Sequence, residues 1–177
     1  MAKRVSLGEY QARVAERLRS LSEQTAVASK LGFQLAGKNW LIDLTAVSEV
    51  LPVPSIVPVP MTQPWFRGAA NIRGNLYSVV DFSAFQGGSP ILSGLESRLL
   101  LINQRLIIGS ALLVGRMVGL RNLDLLQPMQ QPDNAPPWLR AVYADADGAV
   151  WQDLNIDALI KAPWFLDAGT HNPITNH

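Results

Sequence analysis

Cysteine is absent from the 177 residues, which removes disulfide scaffolds, thiolate zinc sites and thiol nucleophiles together. Histidine is nearly absent too. The two present, His171 and His177, stand in a polar C-terminal stretch, so most imidazole acid–base and metal chemistry is also excluded. Charge is scarce: charged residues are 16% of the chain, against roughly 25% in an ordinary soluble domain. Fifteen Lys+Arg against fourteen Asp+Glu leave a formal net charge of +1. Such a balance offers no broad field for nucleic acid or an anionic membrane. A long hydrophobic run is missing as well. Asn103, Gln104, Arg105, Ser110 and Arg116 interrupt the most apolar stretch, residues 99–120, whereas a membrane helix needs about 20 mostly apolar residues. The basic N-terminus leads into no apolar run, so no signal peptide is expected and the expected address is cytoplasmic.

Motifs of catalysis are also wanting. No Gly-x-Ser-x-Gly elbow and no Gly-Lys-Ser/Thr phosphate loop occurs. Asp145, Asp147, Asp153 and Asp157 suggest a calcium loop. An EF-hand starting at Asp145 would need an oxygen ligand, Gly and Glu at its fifth, sixth and twelfth positions, where Ala149, Val150 and Ile156 stand. Asp147-Gly148 reads instead as a hairpin turn. The expectation is a protein without enzymatic activity, cofactor or metal.

What the chain does have is apolar material, 48% hydrophobic residues, too much for disorder over most of its length. Nine charged residues crowd into positions 1–30, and only nine more are spread over 31–115. That shift sets a boundary near Lys30, dividing an N-terminal helical extension (1–30), a main domain (31–162) and a flexible tail (163–177). In the extension Ser6 and Glu9 have capping-box spacing, and Leu7, Tyr10, Val14, Leu18 and Leu21 form one apolar stripe. The stripe is expected to pack on the domain.

From Leu31 onward, short apolar runs punctuated by turn residues predict a mainly β domain. The runs 33–35 and 40–44 form a hairpin, and 45–51 reads as a short helical turn. Strands are expected at 76–82, 97–103, 106–109 and 110–118. A late hairpin is expected at 141–144 and 149–152, then a closing helix over 154–160. Pro52, Pro54, Pro58, Pro60 and Pro64 mark an extended connector, and Pro128, Pro132, Pro136 and Pro137 a second one. Two β blocks on either side of a Gly/Ser-rich stretch at 87–94 suggest two small barrels sharing one core.

The densest segment is 64–75, in which Arg67-Gly68 and Arg73-Gly74 flank small residues and Asn71. Glycine after a long cation allows a sharp turn that projects the arginine. Trp65 and Phe66 add the rigid apolar area that interface hot spots favour. A turn with solvated arginines explains the spacing equally well, and Trp65 taken alone reads as a core residue. Glu49, in an apolar run, reads either as a half-exposed charge on a surface turn or as the partner of Arg73 across the fold, fixing a binding face.

Together, Phe33-Gln34-Leu35, Trp40-Leu41-Ile42-Asp43-Leu44, Val47-Ser48-Glu49-Val50-Leu51, Val57-Pro58-Val59-Pro60, Trp65-Phe66-Arg67-Gly68, Asn71-Ile72-Arg73-Gly74 and Val79-Val80-Asp81-Phe82 resemble the CheW-like coupling proteins of bacterial chemosensory arrays. The likeness is strong over 31–85 and looser to about 160. Asn71-Ile72-Arg73-Gly74-Asn75-Leu76, Met117-Val118-Gly119-Leu120-Arg121 and the extra N-terminal helix look most like the PilI-type branch, which serves type IV pilus twitching motility. Gly115 departs from the family's usual Asp, and Trp151-Gln152 from its commoner Leu-Leu.

The resemblance implies two intertwined five-stranded SH3-like β-barrels, here with an N-terminal amphipathic helix and a short C-terminal one. It implies a non-catalytic adaptor in the cytoplasm, recruited to membrane-associated receptor arrays. One face would bind the cytoplasmic tip of a methyl-accepting chemotaxis receptor and another the regulatory domain of a CheA-type histidine kinase, with ring-forming contacts in the array. Partner binding is expected at Glu49, Trp65, Arg67, Gly68, Asn71, Arg73 and Gly74, with Asp81 structural. The other readings are a flagellar chemotaxis coupling protein and a small-molecule-binding regulatory β-barrel.

Overall fold

Ser29 and Lys30, placed by charge in the extension, open the first strand of the structure, a computed structural model that describes residues 29–165 and 167–169. All but the last two residues of the helical extension expected over 1–30, its apolar stripe included, and most of the tail lie outside the described residues. Strand β1 (Ser29–Leu35) turns through Ala36 and Gly37, both at positive φ, into β2 (Lys38–Asp43). There follow β3 (Val47–Pro52), β4 (Phe66–Ile72), β5 (Asn75–Asp81), the single-turn helix α1 (Phe82–Phe85), β6 (Ser97–Ile102) and β7 (Ser110–Asn122). The chain closes with β8 (Gln127–Met129), β9 (Leu139–Ala144), β10 (Val150–Leu154) and helix α2 (Ile156–Ile160).

Strands β3 to β7 make one five-stranded unit in the order β3-β6-β7-β5-β4. The other unit joins β1 and β2 from the start of the chain to β10, β9 and β8 from its end. Strand β7 links them. Its first half pairs with β5 and β6, and its second half, from Met117, pairs with β1. This is the intertwined two-barrel architecture. Leu99, Leu101, Ala111 and Leu113 fill the first unit, while Leu100, Ile102, Leu112 and Val114 on the opposite faces join Phe33, Trp40, Phe82 and Leu154 in a core shared by both units. Burial on both faces is why residues 99–102 of β6 and 111–114 of β7 read as unbroken apolar runs.

Three local expectations are corrected. Residues 45–51 are not a helical turn: only Leu44–Ala46 is 3-10 helical, and Val47–Pro52 is a strand with inward positions at every second residue, paired to β6. Sheet pairing overrides a weak local preference there. Residues 106–109 form no strand: the amides of Leu106 and Ile107 bond to the carbonyl of Asn103 as the chain turns between β6 and β7. A short apolar run carries no period that separates a strand from a turn. Finally, the turn reading of 64–75 holds only at Arg73 and Gly74, since Phe66–Ile72 is strand β4.

The first proline-rich connector lies against β4, where Val57 and Ala69 exchange backbone hydrogen bonds of 2.8 and 2.9 Å. Gly68 makes this approach possible. Its φ is +124°, and a Cβ there would sit 2.0 Å from the Val57 carbonyl oxygen.

Candidate partner-binding site

Arg73 and Gly74 are the two residues of the β4–β5 turn, with φ of 54° and 86°. Ile72 pairs with Asn75 across them, the two-residue hairpin in which both central positions need positive φ. The Asn71 side-chain oxygen accepts the Gly74 amide at 2.9 Å and stiffens the turn. Held this way, Arg73 projects from the hairpin tip with its side chain 72% exposed.

The Arg73 guanidinium meets Glu49 in a two-point contact, with Nη1 donating to Oε2 at 2.9 Å and Nη2 to Oε1 at 2.6 Å. The Glu49 hydrogen bonds, then its charge, raise the Arg73 pKa above its ordinary value. Glu49 stands on β3, beside a bulge between Val47 and Glu49 in the pairing with β6. Strands β3 and β4 are the two ends of the first unit's strand order and form no ladder with each other. The ion pair therefore spans the seam of that barrel with side chains. Leu76 and Ile108, both exposed, lie beside the same tip, where the Leu76 carbonyl oxygen approaches Gly109.

Other expected site residues point inward. Trp65 is only 8% exposed and packs edge-on against Phe66 and Phe85 in the shared core. Gly68 is buried under the connector. Arg67 donates to the buried Asp81 carboxylate at 3.3 Å and to the Ile91 carbonyl at 3.0 Å. Asp81 also accepts the amides of Ser83 and Ala84, capping α1, and that of Ile91, tying down the loop that follows. The structure thus groups Glu49, Asn71, Arg73 and Gly74 at an exposed edge, and gives Trp65, Arg67 and Gly68 packing and anchoring contacts.

Sequence spacing did not reveal a second ionic cluster, in the other barrel. Lys30, nearly inaccessible, donates to Asp43 at 2.8 Å and to both Asp153 oxygens at 2.7 and 2.9 Å. Arg140 donates to Asp43 at 2.8 Å. Burial pushes the Asp153 carboxyl up, outweighing Lys30 and Arg140. Burial also acts on Asp43, but bonds and charges from Lys30 and Arg140 outweigh it and hold that carboxyl low. The cluster fastens β1 and β2 to β9 and β10. Nearby, Asp145 accepts the Trp151 indole N–H and the amides of Asp147 and Ala149, shaping the β9–β10 turn.

The family model for the CheW-like domain matches residues 30–163. The chain belongs to the CheW-like domain family. It is 27% identical over 161 residues to Protein PilI of Pseudomonas aeruginosa, covering 88% of this chain and 88% of that protein. Its fold is similar to the crystal structure of the scaffolding protein TtCheW from Thermoanaerobacter tengcongensis, with a TM-score of 0.64 at 19% identity, over 77% of this chain and 94% of that one. Among the described residues of this CheW-like chain no helix is long and apolar enough to cross a membrane. Gly115, where the resemblance leads one to expect Asp, lies where β7 passes β1: a Cβ there would be 2.3 Å from the Gln34 carbonyl oxygen.

Proposed function

We propose that this CheW-like protein is a non-catalytic coupler. It holds the cytoplasmic tip of a methyl-accepting chemoreceptor and the regulatory domain of a CheA-type histidine kinase together, in a chemosensory pathway that controls type IV pilus twitching motility. The observation that carries the reading is the CheW-like domain across residues 30–163. The likeness to PilI over most of both chains supports the pilus output.

The physical logic is that of a rigid spacer. A ligand-driven change in the receptor can reach the kinase only if the body between them transmits a difference in contact free energy. Both barrels are tied into one core, and β7 runs through both, so a displacement at one face is carried to the other. Each contact can be weak, because contacts repeated across an array combine through high effective concentration. Glu49, Asn71, Arg73 and Gly74 form the partner-facing edge in this reading, with Leu76 and Ile108 as its apolar component.

Co-purification with a receptor-tip fragment and, separately, with the kinase regulatory domain tests the proposal. The wild-type protein captures both. Arg73→Glu, folded to the same melting midpoint, loses at least one of them. Capture of neither by wild type contradicts the function, and undiminished capture by the variant contradicts the site.

A further inference from the structure

Where the two barrels meet, a pocket of about 350 Å³ opens between the Leu44–Ala46 turn, the β6–β7 turn, the start of β9 and helix α2. Its size is that of a small-ligand site, and a junction between two units is where such sites concentrate. Asn103 builds one wall. Its amide donates to the Ala46 carbonyl at 2.9 Å, its side-chain amide donates to the Thr45 carbonyl at 3.0 Å, and its Oδ1 accepts the Arg105 amide at 3.0 Å. The turn that carries Arg105 is thereby tied to the junction. Buried Ile156 and half-buried Leu106 give the pocket an apolar side.

The charged lining is only partly used. Arg140 donates to Asp43 through Nη1 at 2.8 Å. The Arg105 guanidinium, the Thr45 hydroxyl and the Asp157 carboxylate also line the pocket, and among the described residues none of the three takes part in a hydrogen bond or ion pair. Burial lowers the Arg140 pKa, but the Asp43 bond and the charges of Asp43, Asp153 and Asp157 outweigh it and raise it. Asp157 thus lies within electrostatic reach of Arg140, with no ion pair closed between them. Two arginines and two aspartates leave the lining neutral, so a simple anion or cation gains little net attraction there. A molecule with both charges meets an opposite group at each end.

We propose that this pocket binds a small zwitterion, an aliphatic α-amino acid, with its carboxylate on Arg105 and the Thr45 hydroxyl, its ammonium on Asp157, and its side chain against Leu106 and Ile156. A guanidinium meets a carboxylate at two points, and an ammonium offers three donors to Asp157. The bound molecule ties α2 of the second barrel to the β6–β7 turn of the first, and so stiffens the junction through which a coupler transmits. None of these residues belongs to the Arg73–Glu49 edge, so the site stands independently of what that edge binds.

Isothermal titration of the full chain with L-leucine tests this, beside isocaproate, which lacks the ammonium, and isoamylamine, which lacks the carboxylate. The expected result is saturable binding of L-leucine, with each analogue weaker by about tenfold or more. Arg105→Ala and Asp157→Ala change exposed side chains, so the ligand-free variants keep the wild-type melting midpoint. Each weakens L-leucine by about tenfold, whereas Lys161→Ala, exposed just beyond the same helix and outside the pocket lining, leaves binding unchanged. The absence of saturable heat with L-leucine up to about 10 mM overturns the proposal. Isocaproate bound as tightly as L-leucine overturns the ammonium contact with Asp157 and the zwitterion with it. Undiminished affinity in both variants overturns the site.

Discussion

Arg73 and Glu49 make a two-point ion pair between the β4–β5 turn and β3, the two strand ends that the backbone of the first barrel leaves unladdered. Both are accessible, so the pair contributes geometry and direction more than stability. It fixes the guanidinium plane at an edge that a partner can meet.

If that geometry matters, charge order should not. Arg73→Glu and Glu49→Arg each weaken partner capture, and the double exchange regains most of it, while melting midpoints stay close to wild type. Pull-down with purified partner fragments reads this. A double exchange no better than either single change shows that the pairing has no part in binding.

Lys30 is a different kind of cation. Replacing it with Met leaves Asp153 buried without its close partner, so urea unfolding should lose about 3–5 kcal/mol. Acid dependence follows from the two carboxyl directions. Asp153, raised by burial, contributes most below about pH 4 and loses that contribution as pH rises through its raised value. Asp43, held low by Lys30 and Arg140 against its burial, contributes above about pH 4 and loses it on acidification. Asp43→Asn should therefore flatten the acid limb of the melting curve, and Asp153→Asn the decline just above pH 4.

Asp81 anchors the loop between α1 and β6. Asp81→Ala removes the cap of α1 and the acceptor of Ile91, and should cost about 2 kcal/mol or more. Asp81→Asn keeps an acceptor oxygen and should cost less. Hydrogen exchange in residues 86–96 should rise in the Ala variant. An unchanged loop in that variant removes the anchoring role.

Gly68→Ala forces the connector away from β4 and should destabilise by about 1–3 kcal/mol. Gly74→Ala is the comparison: it also has positive φ, but nothing lies within 4 Å of its Cβ position. Denaturation midpoints should fall further for Gly68→Ala. Equal losses mean that backbone strain alone accounts for both.

Much of the architecture was legible because alternation, turn residues and paired apolar runs act locally. Phe33 to Leu44 announced its hairpin, and the runs in β6 and β7 announced strands buried on both faces. Residues 45–51 misled because strand β3 owes its form to β6, about fifty residues away, and 106–109 because four apolar residues carry no period. At the candidate site, the spacing of Glu49 and Arg73 permitted a pairing but could not supply the seam that brings them together. Arg67 looked free until Asp81 and Ile91 were placed beside it. Lys30 and Asp153, 123 residues apart, gave no signal, since only the pairing of β2 with β10 makes them neighbours.

Simultaneous occupancy is the central claim, and a bridging assay measures it. Receptor-tip fragment is fixed to beads and labelled kinase regulatory domain is added with and without this protein. Retention of the kinase only when the protein is present, lost at large excess as separate binary complexes form, is the predicted result. Retention that is the same with and without it, or mutual exclusion of the two fragments on this protein at every concentration, contradicts the account.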